Sequence, residues 1–107
     1  MDFKFVKIVV YVPSPYADKI RRVLAESGTG HIGKYDYCSF SVKGIGRFRP
    51  LKGTKPFIGK SGKIEKVPEE RIETICPKKI FKKVLSAVKK AHPYEEPAID
   101  IFPLLNE

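Results

Sequence analysis

Residues 3–28, FKFVKIVVYVPSPYADKIRRVLAESG, hold the pattern that decides the fold. The first part is rich in β-branched and aromatic residues. Alternation places Lys4, Val6, Ile8, Val10 and Val12 on one face and Phe3, Phe5, Lys7, Val9 and Tyr11 on the other. Two mostly apolar faces predict a central strand over 3–12. Ser14 and Pro15 then have the chemistry of an N-cap and a first helical residue, and Ala17, Ile20, Val23 and Leu24 recur at helical spacing until Gly28 closes the helix.

Outward from this strand-helix unit the same order returns. Alternation over 35–42 predicts a second strand, and a third runs over 71–76, starting as early as Lys63 with an irregularity at Pro68. Pro77 opens a second helix whose apolar stripe is Ile80, Phe81, Val84, Leu85, Val88 and Ala91, and His92 with Pro93 ends it. A last strand covers 98–104. The order β-α-β-β-α-β predicts an α+β, ferredoxin-like two-layer sandwich, with a four-stranded antiparallel sheet and both helices on one face. A length of 107 residues with 42% hydrophobic content fits one domain, 1–107. Between the halves lies a long arm, 43–62, whose glycines and prolines argue against a regular element.

This architecture leaves one sheet face uncovered, and Phe5, Val9, Tyr11, Tyr35, Tyr37, Ile99 and Ile101 are its candidates. An apolar free face predicts a homo-oligomer, with sheets packed face to face or strands extended across subunits. The alternative is that the arm folds back over the sheet.

Composition narrows the function classes. No apolar run approaches the roughly 20 residues of a spanning helix, and the start, Met1-Asp-Phe-Lys, has no signal-peptide pattern, so a soluble cytoplasmic protein away from membranes is expected. Cys38 and Cys76 are too few for a disulfide framework, form no Cys-x-x-Cys pair and are expected as buried thiols. A formal charge of +9, from 21 Lys and Arg against 12 Asp and Glu, favours anionic partners, nucleic acid among them, and also serves solubility.

Three segments could carry chemistry. After the first helix, Gly30, His31, Gly33 and Lys34 combine close-approach backbone with positive charge, as an anion-binding loop needs; a tight turn with left-handed glycines is the alternative. In the arm, Arg47 and Arg49 interleave with Phe48 and Phe57, a composition suited to stacking and phosphate contact or to a subunit clasp. After the second helix, His92, Glu95 and Glu96 offer imidazole and carboxylate to a divalent metal ion, with His31 joining if the equivalent connections of the two halves lie close in space. Helix two also carries Lys78, Lys79, Lys82, Lys83, Lys89 and Lys90 opposite its apolar stripe, either a solvated face or a dock for an anionic partner. Neither His nor Cys has a context that activates a nucleophile, so no catalytic residue is assigned and no enzyme is expected.

The stretches Gly30-His-Ile-Gly-Lys-Tyr-Asp-Tyr-Cys-Ser-Phe, Gly46-Arg-Phe-Arg-Pro-Leu, Pro56-Phe-Ile-Gly and His92-Pro-Tyr-Glu-Glu-Pro resemble the domain inserted in bacterial Nif-three-like proteins, the dinuclear metal-centre family labelled GTP cyclohydrolase type 2 homologues. That domain is similar in turn to PII signalling proteins and CutA divalent-cation tolerance proteins. The resemblance implies a ferredoxin-like fold, a trimer and ligands near subunit clefts. It does not bring the enzyme, because the family's dinuclear site belongs to the flanking domains. The resulting expectation is a stand-alone, non-catalytic, oligomeric PII/CutA-like module that binds a small ligand or divalent metal and regulates a partner protein. A nucleic-acid-associated protein using the helix-two lysines and the 43–62 arm is the alternative.

Overall fold

A computed structural model describes residues 2–105. Its elements run β1 (Phe5–Pro13), α1 (Ala17–Glu26), β2 (Phe40–Phe48), β3 (Glu65–Pro77), α2 (Phe81–Ala91) and β4 (Ile99–Leu104), with a short 3-10 turn before each helix. The strands form one antiparallel sheet in the order β2-β3-β1-β4, with β1 paired to β3 on one side and β4 on the other. This is the predicted α+β, ferredoxin-like arrangement.

The duplicated unit is visible in how the helices begin. Each strand that precedes a helix ends in proline, Pro13 or Pro77, and neither helix has a side-chain cap. Ser14, expected to cap, starts the 3-10 turn instead. At the other ends, Gly28 takes φ +113° just past α1, and His92 leaves α2 in extended geometry, as a residue before proline must.

One side of the sheet is the core. Val6, Ile8, Val10 and Val12 of β1 and Ile72 and Cys76 of β3 pack under Ile20, Leu24, Val84 and Val88 of the helices. Arg21 ties α1 to this side, donating to the Ser41 hydroxyl at 3.0 Å and to the Glu70 carboxylate at 2.7 Å. Ile99 and Ile101 also pack here, not on the open face where sequence alternation put them. They pair with Val10 and Ile8, and the strand period of two carries paired residues to the same side.

Strand boundaries moved most around the arm. The second strand, expected over 35–42, begins only at Phe40, because Ile32 and Tyr35 close a tight turn and the Cys38 carbonyl accepts the Thr74 hydroxyl at 2.8 Å. It then continues to Phe48, so the first part of the supposed irregular arm is strand, paired with Glu65–Glu70 of β3 despite Gly44 and Gly46. β3 runs unbroken through Pro68. There it has β2 on one side only, the edge condition in which a strand accepts proline. The outer parts of β2 and β3 thus project past β1 as a two-stranded ribbon, and the molecule is long, 46 × 27 × 21 Å.

The two thiols differ. Cys76 is buried, and burial pushes it up to about 11; Cys38, expected inside, is partly exposed in the loop before β2. Among the described residues no helix is long and apolar enough to cross a membrane.

Candidate functional site

The open sheet face carries residues that alternate with the core set: Val9 and Tyr11 of β1, Val42, Gly44, Gly46 and Phe48 of β2, and Glu69 and Arg71 of β3. Over the end nearest the ribbon the chain folds back. Residues 49–64 cross it, held by the Lys55 amide on Glu95 Oε1 at 3.1 Å and the Gly62 amide on the Pro50 carbonyl at 2.8 Å. The arm therefore covers part of the face, and Phe40, Val42 and Phe102 remain exposed on the rest.

Between arm, sheet and the turn after α2 lies an open cleft of about 720 Å³. Tyr11, Phe48, Phe57 and Tyr94 supply aromatic lining, and Arg71, Glu69, Glu95 and Glu96 supply charge. Tyr94 is the keystone. Its ring meets Phe48 at 5.5 Å between centroids and Phe57 at 6.5 Å, and its hydroxyl donates to Glu69 Oε2 at 2.7 Å. Burial, then that hydrogen bond and the carboxylate's charge, push the phenol well above its ordinary value, so it stays a donor. Gly46 leaves room beside it, since a Cβ there would overlap the Glu69 carboxylate where it now sits.

His92 holds the turn from below. Its Nε2 lies 2.7 Å from the Tyr11 carbonyl, and its Nδ1 accepts the Tyr94 amide at 3.1 Å. Those contacts define a neutral ring with Nε2 protonated. Burial lowers its pKa, while the Tyr11 carbonyl and Glu69 act the other way.

The sequence-predicted site residues divide accordingly. Arg47 and Arg49 reach the cleft, Arg47 through its backbone, since Gly46 and Phe48 take the cleft side of the strand. Glu95 and Glu96 line it too. Gly30, His31, Gly33 and Lys34 do not. Gly30 is pinned to the Ile75 carbonyl at 2.8 Å, and His31 and Lys34 are exposed on the tight Ile32–Tyr35 turn with Gly33 at φ +58°. Ile75 is six residues from Glu69 along β3, about 20 Å at strand rise.

The four candidate metal ligands, His31, His92, Glu95 and Glu96, are not all brought together within the chain. His31 and His92 stand at opposite ends of the sheet, because the two helices run from opposite ends of it. Both His92 nitrogens are engaged, and among the described residues no three His, Cys, Asp or Glu gather as a metal site would need. Sequence reading named Tyr11 only as an open-face residue and missed Glu69, Arg71 and Tyr94, of which Tyr94 alone had a local signal, its place inside the His92–Pro97 motif.

With the geometry in place, comparison with known proteins is informative. No family model matches the chain. The GTP cyclohydrolase 1 type 2 homologue of Bacillus subtilis is 52% identical over 98 residues, which are 92% of this chain and 26% of that protein. The Halalkalibacterium halodurans homologue is 52% identical over 101 residues, 94% of this chain and 27% of that one. A Bacillus cereus protein related to NIF3 superposes with a TM-score of 0.84 at 44% identity, over 97% of this chain and 26% of its own. The chain is similar to one segment of these Nif-three-like proteins. It spans about a quarter of the length of these Nif-three-like relatives. The fold extends further: CutA of Archaeoglobus fulgidus, a periplasmic divalent cation tolerance protein, superposes with a TM-score of 0.70 at 22% identity, covering 96% of this chain and 86% of that one. The Nif-three-like segment thus has the architecture that makes up nearly the whole of CutA.

Proposed function

We propose that the chain is a non-catalytic PII/CutA-like module that assembles with copies of itself as a trimer and binds a small organic ligand in the cleft on its open sheet face. The cleft carries the reading. Three separate segments build it: the ribbon, the arm and the turn after α2, and its lining is mostly apolar with a few convergent charged groups, the usual composition of a small-molecule site. Assembly is supported by the projecting ribbon and by exposed Phe40, Val42 and Phe102, an apolar surface that copies of the chain would cover. In the longer Nif-three-like proteins a ligand-reading module of this kind would regulate the remaining three quarters of the chain, or a separately encoded partner. The organic ligand is preferred to a divalent metal because both His92 nitrogens are already engaged.

A thermal-shift screen of amines, carboxylates and nucleotides beside Cu(II), Zn(II) and Mn(II) tests this. An organic ligand should stabilise the protein, and Val42→Trp, which fills the cleft from an exposed edge position, should abolish the shift. Stabilisation by metals alone, or by nothing, overturns the reading. Light scattering after gel filtration reads the assembly, and a monomer overturns it.

One observation favours a second reading. The six lysines of the α2 region are all exposed, and among the described residues none forms an ion pair. A polyanion such as nucleic acid would dock there with steep salt dependence, and absence of any complex at low salt excludes it.

A further inference from the structure

Three carboxylates reach the cleft of a basic protein, beside the four basic residues of its lining, Lys43, Arg47, Arg49 and Arg71. A chain of formal charge +9 brings Glu69, Glu95 and Glu96 to one aromatic-lined hollow. Resting on the reading of this cleft as a ligand site, we propose that it selects a small organic cation, an ammonium or guanidinium group on an apolar body, received by the Glu69 carboxylate.

Glu69 is the group that calls for a cation. It is 9% exposed, on the cleft floor, and a ligand that displaces the water still reaching its carboxylate must itself supply a partner. Its Oε2 takes the Tyr94 hydroxyl, and among the described residues no donor reaches Oε1. The nearest cation along the strand does not serve it. Arg71, two residues on and on the same face, turns to Glu73 at 2.8 Å. The other arginines at the cleft are placed no better, since the Arg47 side chain alternates to the far side of β2 and Arg49 is exposed. The Lys55 contact with Glu95 uses the backbone amide, leaving that carboxylate's charge unneutralised by it.

The rings around Glu69 point to the same class. Phe48 and Phe57 stand at 66° and 58° to Tyr94, so the aromatic lining forms a corner instead of a flat stack. Aromatic faces attract cations, most strongly when the cation is desolvated. A hollow of about 720 Å³ is far larger than a bare metal ion and accommodates an organic body against the rings. Gly46 completes the device by leaving the space the carboxylate occupies.

Calorimetry on the full chain with benzyltrimethylammonium, benzyl alcohol and benzoate, three probes of similar body and different charge, tests the proposal. The ammonium should bind at least about tenfold tighter than the alcohol, the usual effect of one charged partner, and benzoate weakest. Glu69→Gln keeps an acceptor for Tyr94 and removes the charge, so it should erase the preference while the melting curve stays cooperative. Glu96→Gln, exposed at the cleft, should weaken the ammonium by a smaller factor without touching the fold. Benzoate binding as tightly as the ammonium overturns the cation proposal and leaves the ligand cleft standing. If none of the three binds, the cation proposal falls, and a silent ligand screen would then take the cleft reading with it.

Discussion

The two connections that follow the helices, 28–36 and 92–97, hold the same place in a duplicated unit and do different work. The first ties only to β3 and to the chain beside it in sequence. Its amides and carbonyls are satisfied by Ile75, Cys38 and its own tight turn, and Tyr35 stands 76% exposed with no aromatic neighbour among the described residues. The second is short of partners of its own and gathers them from three strands and the arm: Tyr11 of β1 for His92, Glu69 of β3 for Tyr94, and Phe48 of β2 and Phe57 of the arm for the Tyr94 ring. The difference comes from what passes nearby. The ribbon projects over the end of the sheet where α2 finishes, so the arm lands on the second connection and never meets the first.

The sharpest way to break this contrast is to cut each connection's aromatic. Tyr94→Ala should cost about 3 kcal/mol in urea unfolding, as loss of a packed aromatic does, whereas Tyr35→Ala should change stability by less than about 0.5 kcal/mol. Equal effects would deny that the two connections differ. The first connection has its own weak point in its backbone. Gly30 sits at φ +80° with the Cys38 carbonyl 2.6 Å from where a Cβ would stand, so Gly30→Ala should cost about 2 kcal/mol. Gly33→Ala, strained at φ +58° but in open space, should cost about 1 kcal/mol.

Smaller changes sharpen the second connection. Tyr94→Phe keeps the ring contacts and removes the donor to Glu69, with an expected loss of about 1.5 kcal/mol in the same assay. The smallest effect is a pH slope. His92 is held below its ordinary value of 6.5 by burial, so the unfolded chain binds its proton first. Its contribution is complete above about pH 6.5 and is lost as pH falls from there toward the folded-state value. The urea midpoint should therefore decline between pH 7 and 5, and His92→Gln should flatten that decline.

Much of the fold was legible in local pattern. The β-branched alternation of 5–13 and the apolar stripes of both helices depend only on residue spacing, and these three elements appeared within a few residues of their expected places. The arm was misread because Gly44 and Gly46 look like breakers, yet a strand needs only a partner, and Glu65–Glu70 provides one across a long loop. The site was the least legible part. Arg47, Arg49, Glu95 and Glu96 were named from composition and do meet at one cleft, but His31 was joined to them by assuming that equivalent connections of a repeat lie together.

By itself the sequence determined the order and kind of the elements, their repetition and the basic character of the whole, since these follow from spacing and charge along the chain. Tertiary structure alone decided that Tyr11, Glu69 and Tyr94 form one site, being 25 to 83 positions apart, and that His31 stays away from it. The physical reason is antiparallel pairing: β3 turns Glu69 back toward the end of the sheet where α2 finishes, and sends Ile75, with Gly30 bound to it, to the other.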